Sequence, residues 1–295
     1  MSCKTVPAAQ PRFKLDLPTG PAWGLPSSHR RRPRPVGTGL PTGSVAASSI
    51  GMEWRAEGTL LAVRRHGENA AIIEILTEAH GRHLGVVPGG AGRRLTPMLQ
   101  PGAELDCTWR ARLETQLGSF AVEPLKNRAA ALMARPTELA ALTTVCALLT
   151  VALPERAPYP VLWRASRTLL DLIGTAPDWP AAYLRWELGL LEQMGYGLDL
   201  ASCAVTGART GLVHVSPRTG RAVSAAGAGR WADRLLPLPA CLTGTAPAEG
   251  EGLLAALAVT GHFLDRHLVP GDRGLPPARA RLLARLASST TPPPG

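Results

Sequence analysis

Lysine is almost missing from this 295-residue chain: it stands only at positions 4, 14 and 126, so nearly all the positive charge is arginine. Five cysteines, at 3, 107, 146, 203 and 241, include no C-x-x-C pair. That excludes a thioredoxin-type motif and offers no disulfide framework, and it fits a reducing cytosol. No run reaches the ~20 apolar residues that span a bilayer. The nearest, Leu139–Leu153, is uncharged but short and rich in threonine, and it reads as a buried helix. The sequence has no G-x-x-x-x-G-K, no H-E-x-x-H and no G-x-S-x-G, so the common marks of nucleotide hydrolysis, zinc proteolysis and serine hydrolysis are absent. Aromatic residues are few as well. Between 52 and 126 only Trp54, Trp109 and Phe120 occur, too little material for an extensive base-stacking platform.

The net charge of +10 is unevenly spread. Residues 1–51 hold Lys4, Arg12, Lys14, Arg30, Arg31, Arg32 and Arg34 against Asp16 alone, so +6 sits there and +4 in residues 52–295. Local clustering therefore carries the electrostatic argument. The first 51 residues are rich in proline, glycine and serine and contain an "RRRPR" run without an apolar core, which is no secretory signal. They are expected to be disordered and dispensable, with Met52 as the natural start.

From Met52 to about Lys126 the pattern predicts five strands: Gly58–Arg65, Ala70–Thr77, Arg82–Val87, Glu104–Arg112 and Ser119–Glu123. In the fourth, Leu105, Cys107, Trp109 and Ala111 face one way, and Glu104, Asp106, Thr108, Arg110 and Arg112 the other. That alternation marks a half-buried antiparallel strand. Five short strands with a break after the third match a small Greek-key barrel of the OB type; an SH3-type barrel fits the same pattern.

Arginines bracket this module. Arg64 and Arg65 precede the second strand, Arg82 follows it, and Arg93 and Arg94 come after the Gly89-Gly90-Ala91-Gly92 run. Guanidinium forks match phosphate geometry, so these five, with Arg110 and Arg112, are the candidate DNA-backbone contacts, helped by His66 and His83. Ordinary solvated arginines on a hairpin fit equally well, since residues 52–126 balance nine basic against nine acidic side chains. His66, His80 and His83 also raise the thought of a metal, but no acidic or cysteine partners stand at ligand spacing.

After Arg135-Pro136 the texture turns helical. Thr137 is expected to cap a helix carrying Leu139, Leu142, Val145, Cys146 and Leu149. Tyr159–Ile173 forms another, and a third runs from an Asp178 cap, past Pro180, to Gly195. An irregular stretch, 197–248, precedes helices at Leu253–Leu268 and Pro277–Ala287 and a disordered tail, 289–295. The fold class is thus α+β, with a barrel at 52–126 and a helical domain at 127–288.

Three segments carry a family likeness: "MEWRAEGTLLAVRRHGENAAIIEILTEAHGRHLGVVPGG" (52–90), "LQPGAELDCTWRARLETQLGSFAVEPL" (99–125) and "YLRWELGLLEQMGYGLDLASCAVTG" (183–207). With "VSPRTGRAVS" (215–224) they resemble RecO, the bacterial recombination mediator of the RecF pathway. The resemblance implies an OB-fold, a helical domain and, in many relatives, a four-cysteine zinc site. It also implies binding of single- and double-stranded DNA, annealing, partnership with RecR, contact with the acidic tail of single-strand-binding protein, and loading of RecA. Such a protein is non-enzymatic, without cofactor or membrane, cytoplasmic and nucleoid-associated. Arg167 and Arg185 are the candidates for the tail; Arg279, Arg281 and Arg285 would be next in line for DNA.

The zinc site departs from the family pattern. Cys203 takes the first ligand position, Thr206 stands where the second belongs, Val213–Ala226 supplies no cysteine pair, and Cys241 lies too far along. One thiolate cannot close a tetrahedral site, so no metal is expected; Leu212, Val213, Val223 and Trp231 are expected to hold the loop by packing. A protein-binding adaptor and a metal-dependent hydrolase remain the rival readings, and strand annealing without nucleotide and with chelator separates all three.

Overall fold

Alternation of apolar and polar residues shapes the first part of the described chain, which in this computed structural model comprises residues 52–290 apart from Glu114, Pro270, Asp272 and Arg273. The disorder expected of 1–51, and of the tail beyond Thr290, lies outside the described residues. Five strands, β1 (Met52–His66), β2 (Ala70–Thr77), β3 (Gly81–Val87), β4 (Glu104–Ala111) and β5 (Ser119–Lys126), close a barrel in the order β1-β2-β3-β5-β4. All pairings are antiparallel except β3 with β5, which meet in parallel at Val86 and Ser119. This is the OB-fold. The parallel seam and the double pairing of β1 decide against an SH3-type barrel.

β1 begins six residues before the expected Gly58. Its first half pairs with β4 and its second half with β2, so one strand serves two neighbours. Met52–Glu57 hides this because only Trp54 and Ala56 turn inward there, and only partly. Where the partner changes, Gly58 lets the strands close up: a Cβ there would lie 2.2 Å from Ile75 Cγ2. A bulge between Leu60 and Ala62 adds the bend. Leu60, Ile73, Ile75, Leu105, Cys107, Trp109 and Phe120 fill the barrel, with Leu105, Cys107 and Trp109 as the alternation of the fourth strand predicted. Glu104 breaks the predicted pattern. It is buried on the outer face of β4, because the helical domain covers that face.

A short turn of helix, α1 (Arg128–Ala131), leads into α2 (Pro136–Ala152), α3 (Pro160–Leu172) and α4 (Trp179–Gln193). Thr137 does not cap α2. Pro136 occupies the first turn behind Arg135, a position where the missing N–H costs nothing. Helix α2 packs between β1 and the last helix, and Gly102, at φ +85°, meets it so closely that a Cβ would stand 2.7 Å from Leu142. The stretch expected to be irregular holds a three-stranded sheet of β6 (Leu212–Val215), β7 (Ala222–Ser224) and β8 (Leu236–Pro237), with α5 (Ala225–Ala228) and a 3-10 turn (Gly229–Arg234) between β7 and β8. Helices α6 (Gly250–Leu268) and α7 (Pro277–Thr290) follow; α7 thus includes the start of the expected tail.

One buried carboxylate joins α4, α6 and α7. Glu187 is wholly inaccessible and receives Arg279 Nε at 2.7 Å, Arg279 Nη2 at 2.9 Å, Tyr183 Oη at 2.5 Å and Thr260 Oγ1 at 2.5 Å. Burial, then the Glu187 charge, pushes the Tyr183 phenol well above its usual range, so it stays a donor. Arg279 is therefore a core residue and leaves the DNA candidates. Removing one member strands a buried charge, which typically costs 3–5 kcal/mol. Arg279→Ala should lower unfolding free energy by about that amount in urea titration. Joint replacement of Arg279 and Glu187 by leucine should recover part of the loss, because no charge is then left unpaired.

Candidate nucleic-acid interface

The second half of β1 has left β4 and keeps only β2 as its partner, which leaves both residues of an adjacent pair exposed. Arg64, Arg65 and His66 are all exposed there, opposite Ile72, Ala71 and Ala70. The loop after β3 returns to the same end: Gly90 N–H donates to Val87 O at 3.1 Å, and Ala91 N–H to Asn69 O at 3.1 Å. A Cβ on Gly90 would lie 2.8 Å from that of Ala71. These contacts bring the Arg93-Arg94 loop beside the Arg64-Arg65 hairpin. None of the four arginines has a carboxylate partner among the described residues.

A groove of about 390 Å³ opens in the barrel wall nearby, lined by Val87, Leu95, Thr108, Arg110, Phe120 and Val122 among others. It follows the weak β3–β5 seam, and Leu95 connects it to the arginine loop. Arg110 lies along it, exposed and paired to Glu53 at 2.9 Å. An exposed pair of this kind is easily exchanged for another anion. Arg112 is exposed just past β4.

Three predicted contacts fall away. Arg82 keeps 13 % of its side chain exposed, donates to Leu153 O at 2.9 Å and pairs with Glu74 at 3.0 Å, tying the barrel to the segment after α2. His83 is buried among Trp54 and Trp109, with Nδ1 3.0 Å from His80 O. Burial pushes its pKa down, so it is neutral and offers no phosphate a charge. Arg167 is held by Glu104 and Glu57 and lies over Trp163 at 4.6 Å. Its 2.7 Å approach to Glu104 is an ion pair rather than an aligned hydrogen bond. The barrel aromatics are spent internally: Trp109 Nε1 donates to Leu117 O, and Trp54 stacks on His80.

Arg185 fares differently. It lines an open cleft of about 570 Å³ with Pro180, Ala181, Leu253, Leu254 and Leu286, at the N-terminal ends of α4 and α6. Its Nε is buried without a hydrogen-bond partner. An unsatisfied guanidinium beside apolar walls and two helix N termini suits a carboxylate joined to apolar side chains, although Asp178 and Glu249 also stand on the rim.

Comparison with known proteins agrees with this architecture. Residues 52–128 match the family model of the recombination protein O N terminus, and residues 133–276 that of its C terminus. The DNA repair protein RecO of Cereibacter sphaeroides (strain ATCC 17023) is 59 % identical over 238 residues, 80 % of this chain and 99 % of the relative. That of Ruegeria sp. (strain TM1040) is 56 % identical over 238 residues, again 80 % and 99 %. That of Dinoroseobacter shibae is 53 % identical over 234 residues, 79 % and 97 %.

The chain belongs to the RecO family. It is therefore a DNA repair protein, and among its described residues no helix is long and apolar enough to cross a membrane.

The zinc site that the RecO resemblance implies can be tested on this chain. Two i, i+3 pairs converge: Cys203 with Thr206, and Ser224 with Gly227. Ser224 N–H, Ser224 Oγ–H and Thr206 N–H donate to Cys203 Sγ at 3.2, 3.3 and 3.4 Å, and Gly227 N–H donates to Ser224 Oγ at 3.1 Å. A Cβ on Gly227 would lie 2.9 Å from the sulfur. The Ser224 hydroxyl first, then the other donors, holds the Cys203 thiol down to about 6 against the opposing effect of burial. The cluster supplies one sulfur, two hydroxyls and a bare glycine, which do not fit zinc; among the described residues no group of three His, Cys, Asp or Glu side chains could hold a metal ion. Ser224 and Gly227 were missed in the sequence because nothing about "SAAG" signals that it meets Cys203. Val213 and Trp231, expected inside, are exposed, whereas Val223 packs as expected with Cys203 and Ala228, and Leu212 lies against them.

Two outcomes follow. Elemental analysis of the purified chain should find no stoichiometric zinc, and Ser224→Ala should lower stability by about 1–2 kcal/mol by removing a helix cap and a thiol donor together. His83 binds its proton more weakly folded than unfolded, so stability is full above the unfolded pKa of about 6.5 and declines as pH falls through the folded one. His83→Phe should reduce that acid-side decline between roughly pH 7 and 5 in thermal melts.

Proposed function

We propose that this chain binds single- and double-stranded DNA through Arg64, Arg65, Arg93 and Arg94, anneals complementary strands, and works with RecR to load RecA onto strands coated by single-strand-binding protein. The observation that carries the reading is the Ala91–Asn69 hydrogen bond, which gathers at one end of the barrel two arginine couples that have no carboxylate partner among the described residues. His66 borders them, and the groove with Arg110 and Arg112 extends the positive track. At the barrel, backbone contact without base stacking leaves most bases free to pair, the property annealing needs. The adaptor reading lacks such a reason for four unpartnered arginines. A histidine-metal hydrolase is disfavoured, since His80 and His83 are engaged with each other and with Trp54.

The acidic tail of single-strand-binding protein is assigned to the Arg185 cleft, on the strength of its unpartnered Nε and apolar walls. Arg167 has no part in it.

DNA affinity should be insensitive to sequence and fall steeply with salt, each phosphate contributing about 0.7 to 0.9 to the log–log slope. The double variant R64A/R65A should flatten that slope by about one to two units, and R93A/R94A likewise, with melting temperature unchanged. Unaltered slopes would remove these residues from the interface. Arg185→Ala should weaken binding of a tail peptide by about tenfold or more, whereas Arg167→Ala should leave it unchanged; equal affinity in both variants would empty the cleft of that role.

A further inference from the structure

The barrel offers no exposed aromatic ring, but the small β6–β7–β8 sheet does. Trp231 is 49 % exposed, in a 3-10 turn that buries none of its residues. Every other described tryptophan is buried or half-buried. Two guanidinium groups, those of Arg230 and Arg234, lie over the indole, each 5.1 Å from the ring centroid. Neither has a carboxylate partner among the described residues, although Asp233 stands between them in sequence. Residues 197–248 contain five arginines and two aspartates, and Asp199 is already engaged by Arg221 at 3.2 Å. Ala208 and Ala232 pack on the same apolar cluster of Cys203, Val223 and Ala228.

We propose that Trp231, with Arg230 and Arg234, is a second nucleic-acid contact that stacks an unpaired base of single-stranded DNA, while the two flanking arginines hold its backbone. This rests on the reading of the chain as a DNA-binding protein. Each guanidinium lies over the indole by a weak cation–π contact, and a base that displaces it from the ring face leaves it free to hold the neighbouring phosphate. In a duplex the base faces are already stacked and out of reach, so the contact is selective for single strands. The excess of arginine here repels basic partners. The hydrogen-bonded Cys203–Ser224 junction, from which α5 and this turn emerge, fixes the platform as a metal site would.

The test uses the full chain with a dT oligonucleotide of about 20 nucleotides and a duplex of equal length, reading affinity and tryptophan fluorescence. Trp231→Ala should weaken oligo-dT binding about fivefold or more and leave duplex binding within about twofold. Trp231→Phe should retain most of the affinity yet lose the fluorescence quenching that oligo-dT produces in the parent chain. R230Q/R234Q should flatten the salt slope for the oligonucleotide by about one to two units. If the parent binds and quenching and affinity survive in both Trp231 variants, the stacking site is refuted while the barrel reading stands. Equal losses on single strand and duplex would refute base stacking as well. A loss confined to an acidic protein partner would overturn it in favour of a protein contact, and failure of the parent to bind any DNA would overturn both readings.

Discussion

Arg128 closes the barrel and opens the helical domain, and its guanidinium is divided among three acceptors: Glu104 at 2.6 Å, the Gly102 carbonyl at 3.0 Å and Asp171 at 2.7 Å. Lys126 joins at Asp171, and Arg167 at Glu104. Beside this junction, Trp163 Nε1 donates to Leu76 O at 3.2 Å, and Arg82 reaches Leu153 O. Gly81, at φ +65°, lets the chain at Ala157 approach so closely that a Cβ would meet its carbonyl oxygen at 2.1 Å. Buried charges are costly alone and tolerable only when fully engaged. The network therefore fixes which face of the barrel the helices cover. The arginine-bearing hairpin and loop are left outside, and the sites depend on that division.

Arginine thus does two jobs that its sequence position alone does not separate. Arg82, Arg128, Arg167 and Arg279 meet carboxylates or carbonyls far away in sequence, from 8 residues for Glu74 with Arg82 to 92 for Glu187 with Arg279. No local pattern announces such partners. Arg64, Arg65, Arg93 and Arg94 meet none among the described residues. The strand cores were legible because one alternation places Ile73, Ile75, Cys107 and Trp109 inside. The first half of β1 was not, because its partner is β4 and its inward residues are only half covered. Glu104 was misread because alternation assigns faces, but only tertiary structure says whether the second face is wet; His83, opposite Ile75, lies on the inner face against Trp54 and Trp109, where a histidine carries no apolar signal.

The region around Cys203 carries the same lesson into chemistry. A tetrahedral zinc site needs four ligands, and here a single sulfur is the acceptor at the centre, with Ser224 as both donor and cap. Local order is held by hydrogen bonds of about 1 kcal/mol each and a few apolar residues. Trp231 is thereby kept on the surface rather than drawn into a core, which is what makes it available to a ligand.

The most direct test of the account is strand annealing by the full chain, without nucleotide and in excess chelator. The parent protein should anneal complementary oligonucleotides under these conditions, and the R64A/R65A/R93A/R94A variant should lose most of that activity while unfolding at the same temperature. Annealing that vanishes with chelator in the parent, or persists undiminished in the fourfold variant, would contradict a metal-free arginine interface at the end of the barrel.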